Sequence, residues 1–224
     1  MLHRPGSVVA VCALLGALVC ASPASAYIIE VGDAPKEVTP TCPGTPCVAV
    51  SRTTGYQSTI ADRRRVYRVP RNGRIVAWTI SLGSPDANQI DFFEARFGQA
   101  SAGITILGRG KRHYRRVVGQ SPVEQLEPYF GQRVQFPLAE SIRVRRGTIV
   151  ALTVPTWAPA LTSLLDDGSA WRASRAKDRC NRVGRQTAQT RMRQRTRYQC
   201  EYNARLTYSA TLITSPKPNP PEEP

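Results

Sequence analysis

The chain is expected to fold as an all-β protein, a jelly-roll-like β-sandwich of about ten strands with little helix. Three observations carry this expectation. Short runs rich in Val, Ile, Thr and aromatic residues are separated by Gly, Pro, Asn or Asp along most of the sequence. The clearest run, Arg74–Leu82, alternates Val76, Trp78, Ile80 and Leu82 with Ile75, Ala77, Thr79 and Ser81, which is the two-residue period of a strand buried on one face. Helical spacing of apolar residues is scarce. Many short strands divided by turn residues form the pattern of a sandwich.

Residues 1–26 read as a signal peptide. Arg4 precedes an apolar run from Val8 to Val19, broken only by Gly16, and that run is too short to cross a bilayer as a helix. Ala24-Ser25-Ala26 places small residues ahead of a cleavage point before Tyr27. Cys20 follows Val19, not the small residue of a lipid-attachment signal, so it is not read as an anchor. No transmembrane segment is expected after it. The expected location is secreted, extracellular or cell-wall associated.

Next comes an irregular lead-in, 27–55, rich in proline and glycine and pinned by a small disulfide loop. The sandwich domain is placed at 56–214. Its expected strands are Val66–Val69, Arg74–Leu82, Asn88–Phe97, Ala102–Leu107, His113–Val118, Arg133–Leu138, Ser141–Val144, Thr148–Val154, Ala170–Ser174 and Tyr198–Thr214, the last long enough to split. Pro122–Tyr129 and Ala158–Leu165 are each expected to hold one helical turn. Arg175–Arg197 fits either a helix or a long loop. Asp166-Asp167 before Gly168 reads as a turn, with a calcium site as the alternative. The tail, 215–224, holds five prolines and is expected to be disordered.

Cysteine use agrees with export. Cys12 and Cys20 leave with the signal, and Cys42, Cys47, Cys180 and Cys200 remain. Four cysteines allow three connectivities. The pairs closest in sequence, Cys42–Cys47 and Cys180–Cys200, are favoured in an oxidising compartment. Zinc is disfavoured, because clustered ligands are needed and the mature chain has one histidine, His113. No metal and no cofactor is expected.

Charge is the strongest bias in the composition. The chain has 31 Lys and Arg against 16 Asp and Glu, and all but four of the basic residues are arginine. The arginines cluster in three places: Arg63-Arg64-Arg65, the run Arg109–Arg116, and the segment Arg175–Arg197. Closing Cys180–Cys200 would hold most of the last cluster in a loop, with Arg182, Arg185, Arg191, Arg193 and Arg195 as candidate contacts for a polyanion. Aromatics are sparse within these clusters, with only Tyr114 and Tyr198 counted there, so specific nucleic-acid recognition through bases is not expected.

No catalytic residue is assigned. His113 is the one candidate base for a nucleophile, and it lies in Arg109-Gly-Lys-Arg-His-Tyr-Arg-Arg116 without a Gly-x-Ser-x-Gly elbow. No phosphate loop or dinucleotide fingerprint is present. The stretch Asn88–Phe97, read as a strand, needs a one-residue bulge at Phe92-Phe93 to sort its side chains. Ile90, both phenylalanines, Ala95 and Phe97 then face the core, and Gln89, Asp91, Glu94 and Arg96 share the other face. That polar row resembles the Glu-x-Asp-x-x-Glu strand of laminarinase-like retaining glycoside hydrolases. In that family the first glutamate is the nucleophile and the last is the acid/base. Gln89 stands at the nucleophile position, and an amide cannot form the covalent intermediate. The resemblance therefore implies a glycan cleft more readily than a hydrolase. Trp157 and Trp171 are candidate sugar platforms beside it.

The turn Pro70-Arg-Asn-Gly73 and the strand–glycine–strand segment Ile142-Arg-Val-Arg-Arg-Gly-Thr-Ile149 support the sandwich further. In this combination the chain, from about Val66 to Thr214, resembles uncharacterised secreted β-sandwich proteins of GC-rich actinobacteria. That resemblance implies fold and compartment and brings no activity. The resulting expectation is a secreted, non-enzymatic β-sandwich, a binding or structural module at the cell surface. Its expected partner is an anionic envelope polymer or a glycan. Two alternatives stay open: a glycan-binding or glycoside-hydrolase-like domain on the Gln89/Asp91/Glu94 strand, and a polyanion-binding basic protein.

Overall fold

Strand after strand returns antiparallel to its neighbour in the computed structural model, which describes residues 26–34, 49–162, 168–182 and 184–216. In chain order the strands are β1 (Ile28–Gly32), β2 (Val50–Ile60), β3 (Arg63–Arg64), β4 (Gly73–Ser81), β5 (Ser101–Gly108), β6 (Tyr114–Gln120), β7 (Glu124–Gln125), β8 (Arg133–Val144) and β9 (Ile149–Ala158). They continue with β10 (Leu161–Thr162), β11 (Ala170–Ala173), β12 (Arg195–Arg197), β13 (Cys200–Tyr202), β14 (Arg205–Leu206) and β15 (Tyr208–Thr214). The one α-helix among the described residues, α1 (Ala87–Phe97), joins β4 to β5.

One sheet has the order β1-β15-β4-β8, and the other runs β12-β6-β5-β9-β2-β11-β13. The chain passes from β1 to β2 in the other sheet, back to β4, across to β5 and β6, back to β8, across to β9, and finally to β15. The four strands β1-β15-β4-β8 facing β2-β9-β5-β6 make a jelly roll, as the turn-rich pattern predicts. Strands β11 and β13 extend the second sheet beyond β2, and β12 extends it beyond β6. The core between the sheets holds Trp78, Ile75, Ile80, Ile104, Ile106, Leu107, Trp157, Tyr67 and Tyr208, each less than 2% exposed.

The central strand β4 is where expected, but its alternation is interrupted. Both of its ladders step over Val76: Ile75 pairs with Leu212 and Ile142, and Ala77 pairs with Thr211 and Pro137. The bulge changes the parity of the strand. Ile75 is therefore fully buried, like Trp78, while Val76 is half-buried. On β8 the residues Leu138–Ser141 lie opposite this step, so the two strands expected at Arg133–Leu138 and Ser141–Val144 are one bent strand.

The largest departure from expectation is Asn88–Phe97, which is helical and has no bulge at Phe92-Phe93. The start is set by a capping box. The Asp86 carboxylate accepts from Gln89 N at 2.9 Å, and the Gln89 side chain accepts from Asp86 N at 3.0 Å, satisfying two amides that have no intrahelical partner. The stop is Gly98 at φ +82°, whose N–H donates to Glu94 O. Ile90, Phe93 and Phe97 recur at three- and four-residue spacing, and Phe93 stacks on Trp157 at 4.7 Å between ring centres. A bulged strand and a helix sort these apolar residues equally well; the caps decide for the helix.

Smaller differences have local causes. The stretch 27–55 is not simply irregular, because it carries β1 and the start of β2. Val66–Val69 is no regular strand; Arg68 alone bridges Ile149, and Val69 N donates to Thr148 O. In the stretch expected to hold a helical turn, Ala158 ends β9 and Leu161–Thr162 is a strand, while 163–165 lie outside the described residues. Pro122–Tyr129 does hold a single 3-10 turn at Glu127–Tyr129. Arg175–Arg197 is mostly loop, with a 3-10 turn at Lys177–Arg179 and β12 at its end. Cys180 and Cys200 form a disulfide with Cα atoms 5.2 Å apart. The signal up to residue 25, Cys42 and Cys47, Asp166-Asp167 and the tail from residue 217 lie outside the described residues.

Candidate functional site

The β5–β6 hairpin organises the most distinctive surface. Leu107 and Gly108 pair with Val117 and Arg116. The chain reverses through Arg109–His113, with Arg112 at φ 49° and His113 at φ 64°. Gly110 is required there, because a Cβ on it would come within 2.0 Å of Tyr114 O. Two neighbouring segments approach this hairpin. Arg64 pairs with Thr59 at the end of β2, and Arg65 follows at φ 65°. On the other side Gly147, at φ +84°, makes the turn into β9, and the Arg109 guanidinium lies within 2.2 Å of where its Cβ would be. Gly147 thus serves the turn and seats Arg109.

Three adjoining depressions of about 350, 280 and 260 Å³ open along these segments. Among the described residues eight arginines line them, from residues 64 to 195 of the chain, together with His113 and no Asp or Glu. Arg172 is paired with Glu201 at 2.6 Å. The others (Arg64, Arg65, Arg68, Arg109, Arg115, Arg116 and Arg195) make no ion pair among the described residues. Arg115 borders all three depressions. Its Nη1 donates to Gly110 O and Tyr114 O, each at 2.9 Å, and its Nε is buried without an acceptor. Like charges packed this way raise the local potential and attract anions. Residues of positive φ other than glycine carry strain, and Arg65, Arg112 and His113 concentrate it here.

Of the five candidates in the disulfide loop, Arg195 alone reaches the depressions. Strand β12 pairs with β6, placing Arg195 opposite Arg116. Its guanidinium carbon lies 4.3 Å from the centre of the Tyr114 ring, and that of Arg197 lies 4.8 Å from it, both within cation–π range. Arg182, Arg185, Arg191 and Arg193 are exposed on the loop outside the depressions. The clusters Arg63–Arg65 and Arg109–Arg116 were visible in the sequence as separate runs. Nothing along the chain shows that they meet each other, or that Arg68 and Arg172 join them.

The other candidate row is taken apart by α1. Gln89 is used in the helix cap, Asp91 is exposed, and Arg96 folds back over the Phe92 ring at 3.7 Å. Trp157 and Trp171 are 0% and 5% exposed, with no open face for a sugar. The polar row expected on one face of a strand is therefore absent, and with it the strand that carried the glycoside hydrolase resemblance.

Glu94 instead meets Glu127. Hydrogen bonding to the Glu127 carboxyl, burial, and the charges of Glu127 and Asp91 hold the Glu94 carboxyl above the usual range, and an Oε1 of each is buried with no donor. The folded state therefore binds this proton more tightly than the unfolded chain does. The stabilisation is complete below the ordinary glutamate range and is lost as pH rises through the raised value. Glu94→Gln is expected to raise the thermal midpoint at pH 7 and to give no gain at pH 4. Equal shifts at both pH values would show that the carboxyl pair does not set this dependence.

Among the described residues no group of three His, Cys, Asp or Glu could hold a metal ion, and no helix is long and apolar enough to cross a membrane. No protein-family model, curated protein or solved structure matches the chain.

Proposed function

We propose that this protein is an exported, non-enzymatic binding module of the cell surface that holds an anionic envelope polymer in its arginine groove. The observation that carries the reading is the convergence, among the described residues, of seven arginines without ion pairs, from segments distant in sequence, on adjoining depressions lined by no carboxylate. Unneutralised cations in one groove repel one another, and the fold tolerates the repulsion. A polyanion relieves it and releases its own counterions on binding. Export is supported by the signal-like start and by the Cys180–Cys200 disulfide, which suits an oxidising compartment.

The test is a salt series with isolated envelope polymers. Affinity should fall linearly as log Kd against log salt, with a slope reduced by about one to two in Arg109→Ala/Arg115→Ala, in line with about 0.7–0.9 per lost contact. An unchanged slope would remove these arginines from the site. Arg65→Gly separates function from folding. It removes left-handed strain of about 1 kcal/mol and adds a similar entropy to the unfolded chain. Its unfolding midpoint should stay put while affinity drops; a large loss of stability would mean that Arg65 has a structural role.

A further inference from the structure

The groove has a direction. Its lining passes from Arg195 on β12 to Arg116 on β6, Gly108 on β5, Ile149 on β9, Ser58 on β2 and Arg172 on β11. These are six neighbouring strands of one sheet, so the groove crosses the strands instead of following one. Five interstrand spacings of about 4.8 Å make it about 24 Å long. A single oxyanion occupies a fraction of that length, and an extended chain fills it.

The groups along it select the chemistry. The middle depression, about 350 Å³, is bordered by Arg65, Arg68, Arg109 and Arg115. A carboxylate accepts hydrogen bonds mainly in its own plane. The two anionic oxygens of a phosphodiester sit on tetrahedral phosphorus and accept from several directions, so that forks from different segments converge on one group. Recognition of bases needs an open aromatic face. The Tyr114 ring is already engaged by Arg195 and Arg197, and Tyr56 and Tyr67 are buried.

We infer that the ligand is a linear phosphodiester polymer with a polyol backbone, laid across the strands and held through its phosphates. This rests on the anion-binding reading of the same groove. The experiment titrates the full chain, at fixed ionic strength, with inorganic phosphate, poly(glycerol phosphate) of graded length, polygalacturonate and single-stranded DNA of equal charge. Affinity for poly(glycerol phosphate) should climb at least tenfold from one repeat until the contour reaches about 24 Å, then level off. Polygalacturonate should bind at least tenfold more weakly, and DNA no more tightly. Arg115→Ala should lower the plateau affinity about tenfold, with Arg109→Ala as a second variant and thermal midpoints as the folding control.

Equal binding of every polyanion without a length plateau overturns the phosphodiester assignment and leaves the anion-binding reading standing. DNA binding tenfold tighter than poly(glycerol phosphate) overturns the polyol backbone in favour of a nucleic acid. Binding of none of the probes overturns both readings.

Discussion

Replacing Trp157 with alanine is expected to lower the free energy of unfolding by about 3–5 kcal/mol and to loosen α1 from the sheet. The indole is fully buried at the point where β9 meets the helix. Phe93 stacks on it at 4.7 Å with planes 18° apart, and Phe130 packs at 5.6 Å. Phe93 is the only buried residue of α1. A helix of 11 residues is marginal alone, so the stacked pair holds it in place. Trp157→Phe should cost far less, because it keeps most of the packing and removes an indole N–H that is buried without an acceptor. Urea unfolding measures the loss, and amide exchange over Ile90–Phe97 measures the helix. A loss below about 1 kcal/mol with unchanged exchange would show that α1 is anchored elsewhere.

Removing the Cys180–Cys200 disulfide, as Cys180→Ala/Cys200→Ala, is expected to cost about 3 kcal/mol and to weaken polyanion binding as well. The bridge spans 20 residues, and closing a loop of that size limits the unfolded chain by about that amount. Its second effect is positional. Strand β12 lies just before Cys200 and holds Arg195 against Arg116 through only three paired positions. Without the bridge, that short edge strand keeps Tyr198, which is fully buried, as its main anchor. Unfolding with and without reductant gives the stability term; binding to the reduced but still folded protein gives the positional one. Full affinity after reduction would separate the loop from the groove.

The two expectations that fared differently in this molecule show why. The strand core was legible because alternation and turn residues act locally, and β4, β5, β6 and β9 form close to where those signals place them. Asn88–Phe97 was not, because its apolar residues fit a bulged strand and a helix alike. The deciding information lay in Asp86 and Gly98, just outside the run. The same holds for Val76, whose bulge shows only in its pairing with β15 and β8, both distant in sequence. The faces of Gln89, Asp91 and Glu94 follow from the helix period, while Trp157 and Trp171 lie on β9 and β11 and are buried.

What can be read along this chain is what arises from neighbours in sequence: the many short strands, the jelly-roll-like sandwich they imply, a signal-like start, a disulfide between nearby cysteines, and runs of arginine. The groove is of another kind. It exists because crossing between sheets brings the end of β2, the β5–β6 hairpin, the turn before β9 and the edge strand β12 side by side. Long-range strand pairing sets that proximity, and no local pattern encodes it. For the same reason the arginines most numerous in the sequence, those of the disulfide loop, contribute one lining residue, while Arg68 and Arg172, unremarkable in the sequence, contribute two.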